Sequence, residues 1–387
     1  MLVIVGVAII YIAAAILKTW SPVTGSWKLT IESGAIILRT SKLNRFIEET
    51  GRKGQWVIKA LATVSIPVSI YLMVIGTYFI HDNLVKMMVK SPEASPFIPV
   101  VPGVTLSLGE LPYFLVAICV VLLSHELAHG FVAAAEGIPI SSSALFLFLV
   151  FPGGFIEPDE EGFLRSSLIS KIRVLVAGTA INYALAMLFS FLLSVALVQA
   201  PGVLIEGVLK GYPAYEKLKP LDIIVSINST PINTLEDLNK FMRSTKPGDV
   251  VVLEVLRQGR RTQVKMLLDA APGNSSRGFM GTRLYQCVKL KLNVLSLPYY
   301  DNVIMAYRFN KLLLWIIIAC SSIAVINMLP IYPFDGGQIL GFVILRLIKN
   351  EYKARLLRGL ISIYFIIILV ANIVFTFSIP GVKVWLP

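Results

Sequence analysis

Long apolar blocks separated by short charged stretches run through most of the 387-residue chain. Blocks near 2–17, 57–80, 112–136, 172–199, 311–330 and 359–379 each read as a membrane-crossing helix, because about 20 consecutive apolar residues span a bilayer. The first is short, but no Lys or Arg precedes it, which argues against a signal peptide. From about Pro201 to Pro298 the pattern changes to short apolar runs broken by charges and turn residues. Val203 to Val208, Ile223 to Ile227 and Val250 to Val255 read as strands. Leu235 to Met242, after Thr234 and before Pro247-Gly248, reads as a short helix. That length suits one small α+β domain inserted between two spans. Ser143 to Phe151 is apolar but too short to cross, and Pro152, Gly153 and Gly154 are expected to break any regular element there. Such a stretch reads as re-entrant or interfacial. At membrane depth it needs protein or a wet cavity around it. The expected fold is therefore a polytopic α-helical membrane protein of about six transmembrane helices, with a re-entrant β-like segment and one small α+β domain.

Composition supports this solvent. The chain is 56% hydrophobic and 15% charged, with a mean hydropathy of +0.76, whereas soluble chains carry about 25% charged residues. The net charge of +12 does not point to nucleic acid, because the basic residues cluster beside spans. Lys18, Lys28, Arg39, Lys42, Arg45, Arg52 and Lys53 follow the first block, and Arg346, Lys349, Lys353, Arg355 and Arg358 precede the last. Both clusters are expected in the cytoplasm, with residues 201–298 and the N-terminus outside. Cys119, Cys287 and Cys320 form no pairing pattern and read as small buried hydrophobes.

The sharpest chemical signal is His125-Glu126-Leu127-Ala128-His129, inside the apolar run from Leu111 to Ala135. Residues i and i+4 share a helix face, so two imidazoles can hold one zinc ion while the intervening Glu acts as general base. Three ionisable groups within five residues of a span are costly, at about 2.5–3.5 kcal/mol for each charged group on insertion scales. His81 reads as an interfacial residue. A catalytic zinc takes three protein ligands and keeps one open position. A metzincin would place its third His at position 135, which is Ala135. The best candidate is Asp335, in Asn327-Met328-Leu329-Pro330-Ile331-Tyr332-Pro333-Phe334-Asp335-Gly336-Gly337, with Glu157 next. Taken alone Asp335 reads as a helix cap, but with a two-histidine site unfinished elsewhere the ligand reading is preferred. Both halves of the site fall toward the cytoplasmic ends of parallel spans.

His-Glu-x-x-His in one span and Asn-x-x-Pro-x-x-x-x-Asp-Gly after a later one together resemble the site-2 protease family of intramembrane metalloproteases. The resemblance implies one Zn²⁺ on His125, His129 and Asp335, and Glu126 as general base and acid in a three-helix core. It implies cleavage of membrane proteins within or near their transmembrane segments, as in regulated intramembrane proteolysis, in a prokaryotic cell membrane. Substrates would include proteins already trimmed outside. Asn182, in Ala177-Gly178-Thr179-Ala180-Ile181-Asn182, matches a Gly-Pro-x-x-Asn element with Thr179 in place of the proline. Asn182 and Asn327 would support substrate or oxyanion, and Pro152, Gly153 and Gly154 would belong to a substrate-binding strand edge. The inserted domain resembles a PDZ domain of bacterial proteases. Leu221-Asp222 stands where Gly-Asp is usual, and Gly278-Phe279-Met280-Gly281 would be its peptide-carboxylate loop. That domain could bind peptide or serve as a spacer. The chain then divides into an N-terminal region (1–111), a first catalytic membrane part (112–200), the PDZ-like domain (201–298) and a second catalytic part with the last span (299–387). A metal transporter favours several carboxylates or histidines along a path, often in symmetric halves. This chain has one concentrated site and no repeat. An inactive scaffold has no structural need for Glu126.

Overall fold

The computed structural model describes residues 27–378 apart from Ser33, Val150 and residues 293–295, so the apolar block at 2–17 lies outside the described residues. The described residues begin with strands β1 (Trp27–Glu32) and β2 (Ala35–Thr40), then helices α1 (Ser41–Lys53), α2 (Gln55–Met88) and α3 (Leu111–Ala135). A hairpin of β3 (Ile140–Phe148) and β4 (Phe151–Pro158) leads through a short α4 (Glu160–Arg165) into α5 (Leu168–Ala196). Next come β5 (Leu197–Val208), β6 (Ile223–Ile227), β7 (Thr230–Pro231) and α6 (Leu235–Arg243). They are followed by β8 (Val250–Arg257), β9 (Arg260–Leu267), β10 (Asp269–Ala271), β11 (Asn274–Phe279) and β12 (Thr282–Leu290). Last among the described residues come α7 (Tyr299–Asn327), α8 (Asp335–Leu347) and α9 (Glu351–Ser378). It forms two compact units, Ser190–Leu313 and the remainder on either side.

Helices α2, α3, α5, α7 and α9 are long and apolar enough to cross a membrane, the end of α5 and the first half of α7 falling in the inserted unit, and the protein is a multi-pass membrane protein. Their outward side chains suit lipid: Trp56 is 85% exposed and Ile367 60%. Two boundaries differ from expectation. The block at 172–199 stops being helical at Ala196, and α7 begins at Tyr299 rather than near 311. The early turns of α7 carry Val303, Ile304 and Tyr307, which pack with Leu204, Ile223 and Cys287 of the inserted sheet. That half of the helix is amphipathic, so it escapes a search for apolar blocks.

The flanking unit also contains an antiparallel sheet of order β1-β2-β3-β4. Pro152, Gly153 and Gly154 do not break the chain. They lie within β4, opposite Leu147, Phe146 and Leu145. β4 is an edge strand, where proline is tolerated. Gly153 is required by close approach, since a Cβ there would sit 2.3 Å from the Phe146 ring. Strands β1 and β2 occupy a stretch read above only as a basic loop. Helix α1 is capped by Thr40, whose hydroxyl accepts from Lys42 N, and buries Ile47 beside Val132 and Ile156.

The inserted unit folds by ordinary alternation. Its main sheet has the order β12-β5-β6-β8-β9, with β7 on β6. Val203, Ile205, Ile224 and Leu253 point into one core with Leu238 and Met242 of α6. Asp222 is buried but accepts two hydrogen bonds from Arg257, at 2.9 and 2.6 Å. Leu221 has φ of +72°, a left-handed conformation that accounts for glycine being usual there.

Candidate metal centre

Helix α3 starts with Pro112 in its first turn, where the missing N–H removes no helical bond. It presents His125 and His129 one turn apart. Helix α7 ends at Asn327, and a turn through buried Met328, Leu329 and Ile331 returns the chain so that Asp335 opens α8. A carboxylate is favoured at that helix N-terminus.

The three side chains converge. His129 Nε2 lies 3.0 Å from His125 Nε2. Asp335 Oδ2 lies 3.4 Å from His125 Nε2 and 3.6 Å from His129 Nε2. Ligands about 2.0–2.1 Å from a tetrahedral ion stand about 3.3 Å from one another, so this triangle fits a zinc-sized cation. His125 and Asp335 are buried, and Asp335 Oδ2 has no hydrogen-bond partner. A buried carboxylate oxygen set against two imidazole nitrogens fits the donor set of a cation. Among the described residues, this is the group of His, Cys, Asp and Glu side chains that could hold a metal. Glu157 is exposed on β4 and is not part of it.

The surrounding atoms orient the rings. His129 Nδ1 lies 2.7 Å from the Val174 carbonyl on α5. A carbonyl can only accept, so that nitrogen carries the proton and Nε2 keeps its lone pair. The Asn182 amide lies 3.2 Å from His125 Nδ1 and 3.2 Å from Ser124 Oγ. Asn182 is fully buried. Asn327 Nδ2 approaches His125 Nε2 to 3.2 Å. A Cβ on Gly178 would stand 2.4 Å from the His125 ring and 2.5 Å from His129 Nε2, so only glycine lets α5 approach both imidazoles. The Val174 carbonyl leaves no trace in a sequence; Gly178 does, as a glycine facing the motif.

Glu126 Oε2 accepts from Ile156 N at 3.3 Å, which ties the carboxylate to β4. Glu126 and Ile156 border two cavities. One of about 430 Å³ is lined by His125, His129, Asp335 and Asn327. The other, of about 450 Å³, is apolar and lined by Phe46, Leu123, Leu145, Gly154 and Phe155. Pro152 and Gly153 line neither cavity, and Asn182 stands behind His125. His81 contacts Thr77 and Tyr364, away from the cluster. In the inserted unit, Gly278 N donates to Thr245 O, and the carbonyls of Met280 and Gly281 accept from Ala214 N and Leu209 N. The loop Gly278–Phe279–Met280–Gly281 thus enters β12, an edge strand of its sheet.

An uncharacterized protein of Methanocaldococcus jannaschii is 28% identical over 310 residues, covering 78% of this chain and 76% of that one. The membrane-bound transcription factor site-2 protease homolog of Arabidopsis thaliana is 26% identical over 207 residues, covering 51% of this chain and 40% of its own. Among solved structures, the PDZ domain of the SdrC-like protein of Listeria monocytogenes aligns with 22% of this chain and 90% of its own, at 23% identity and a TM-score of 0.21. The description of peptidase family M50 matches residues 113–371, which take in all three converging side chains and more than half of the sequence; the chain belongs to peptidase family M50.

Proposed function

We propose that this chain is a zinc endopeptidase that works within the bilayer of a prokaryotic cell and hydrolyses peptide bonds in or beside the transmembrane segments of other membrane proteins. The observation that carries the reading is the triangle of His125, His129 and Asp335, with Glu126 on the same helix beside the cavity. Zinc held there would polarise a scissile carbonyl and lower the pKa of water to about 7. Glu126 accepts the proton of the attacking water and returns it to the leaving amine nitrogen. The substrate is extended at the cleavage point, since helical backbone engages its own carbonyls, and β4 with Pro152, Gly153 and Gly154 offers an edge for it. Asn327 lines the cavity and is the candidate for oxyanion support. Asn182 orients His125, a role supported by its position on the ring's far nitrogen.

The division at residues 111, 200 and 298 belongs to the same reading. The inserted domain joins α5 to α7 and sorts substrates by the size of their extramembrane part, so proteins already trimmed there are the ones cut. Its Gly278–Gly281 loop and the edge of β12 are where a peptide would add. Residues 18–56 and 344–358 face the cytoplasm and 201–298 the other side. Labelling of single cysteines in 201–298 from the cytoplasm would overturn that orientation. The function itself is tested by purifying the chain in detergent, measuring its metal, and assaying a model membrane substrate with and without chelator. One zinc per chain and chelator-sensitive cleavage are expected. Bound metal without cleavage would favour the transporter or scaffold reading.

A further inference from the structure

Two helical turns beyond the metal motif lies a half-buried ionic cluster. Glu136 follows the last residue of α3 and is seven positions after His129, hence on nearly the same helix face. Its side chain is 6% exposed, and Arg173 Nη1 of α5 lies 3.0 Å from Oε1. Ser170 donates to Oε2 at 2.8 Å, and Lys59 Nζ of α2 stands 3.9 Å away. Arg173 Nε donates to Thr63 Oγ1 of α2 at 2.9 Å. One guanidinium and one carboxylate therefore tie together three membrane helices.

Arg173 is the residue before Val174, whose carbonyl accepts the His129 Nδ1 proton at 2.7 Å. Contacts between the antiparallel α3 and α5 run in order from Glu136–Arg173 to His129–Val174, then both rings on Gly178, then His125–Asn182. A slide of one helix by a single residue moves the backbone about 1.5 Å, enough to break a 2.7 Å hydrogen bond. Apolar packing tolerates such a slide better than a charged fork with defined partners does. Stability alone does not call for these charges, because an apolar pair of similar volume is often equal or better.

We infer that Glu136 and Arg173 are positioning residues of the metal centre: their ion pair fixes the register of α5 against α3, and through the Val174 carbonyl it holds the His129 ring with Nε2 turned to the ion. The inference rests on the proposed metal site. It concerns register, so it differs from a claim that the pair merely stabilises the fold.

The test compares wild type, Arg173→Lys and the double variant E136M/R173M, all as full chains in detergent. Unfolding temperature, zinc affinity by chelator competition, and the visible spectrum of the Co²⁺ form are measured for each. The double variant leaves no unpaired buried charge, since Lys59, 33% exposed, can turn to solvent. It is expected to unfold near the wild-type temperature yet bind zinc about 10-fold to 100-fold more weakly, the range for loss of a group that orients a metal ligand, with altered cobalt bands. Arg173→Lys keeps the charge but loses the second bond to Thr63, and is expected to fall between. Wild-type affinity and spectrum in both variants would overturn the inference. So would a double variant that fails to fold, because the pair would then be structural. A wild-type chain that takes up no zinc rejects the site itself before any variant is compared.

Discussion

The inserted unit and the membrane unit share apolar cores but differ in what they expose and in the polar groups they bury. In the inserted unit, Val203, Ile205, Ile224 and Leu253 are wholly buried, and the buried charge of Asp222 is matched by Arg257. In the membrane unit, Trp56, Leu61, Val64 and Val374 are more than half exposed, while Asn83, His125, Asn182, Asp335 and Asn372 are nearly or fully buried. Lipid is as apolar as leucine, so nothing drives the outer side chains inward. A buried polar group therefore carries more information in the membrane unit. Asn83 and Asn372 satisfy each other at 2.9 Å and belong to the packing of α2 on α9. Asp335 Oδ2 has no such partner. The contrast lies between two buried carboxylates: Asp222 of the inserted unit is held by Arg257, whereas Asp335 of the membrane unit faces two imidazoles.

The most severe break of that contrast is Asp335→Ala. It is expected to reduce bound zinc below one per chain after dialysis and to abolish cleavage, while the protein stays folded. Elemental analysis and a cleavage assay read both. Retention of full metal and activity would remove Asp335 from the ligand set. Glu126→Gln separates chemistry from metal binding. It keeps all three ligands, so zinc content should be unchanged while cleavage falls about 10²-fold to 10⁴-fold, the usual contribution of a general base. Normal proteolysis by this variant would sink the assigned role.

These two residues were legible because their signal is side-chain chemistry at helical spacing and after a proline-broken span. The sheet beside them was less so. Trp27 to Thr40 alternates on either side of Gly34, but its Lys and Arg read as a cytoplasmic charge cluster and hid the hairpin. Pro152-Gly153-Gly154 read as a breaker, because the room they leave for Phe146 depends on a cross-strand neighbour. The extra turns of α7 were missed because the face that covers the inserted sheet is only intermittently apolar. In the inserted unit β6, α6 and the start of β8 were read to within a residue or two, since alternation reports burial directly when water is the solvent, whereas β7 and β9 to β12 were not read and β5 begins at Leu197 rather than Val203.

On the inserted side, Leu253→Ala should act on stability. Leu253 is wholly buried at the centre of the core that includes Val203, Ile224 and Leu238. Its truncation leaves a cavity and is expected to cost about 2–5 kcal/mol, seen as faster limited proteolysis within 190–313 of the full chain. Zinc content should not change. A parallel loss of zinc would mean that the two units are not separable in the way their burial suggests.

The mildest test is Thr234→Ala at the start of α6. Thr234 Oγ1 accepts from Asp237 N at 3.0 Å, and the Asp237 carboxylate accepts from Thr234 N at 2.9 Å and Asn233 N at 3.0 Å. Removing the cap should cost about 1 kcal/mol, or about 5-fold faster hydrogen exchange in the first turn of α6. Hydrogen bonds with the Thr234 side chain, then those from the backbone N–H of Asn233 and Thr234, hold the Asp237 carboxyl below its ordinary value. A depressed folded pKa means the contribution is complete above the unfolded value near 3.9 and is lost as pH falls through the folded one. The variant lacks part of that interaction, so its stability depends less on acid. The gap between wild type and Thr234→Ala should be widest at neutral pH and narrow below about pH 4. A gap that stays constant into acid would show that the hydroxyl caps α6 without the help of Asp237.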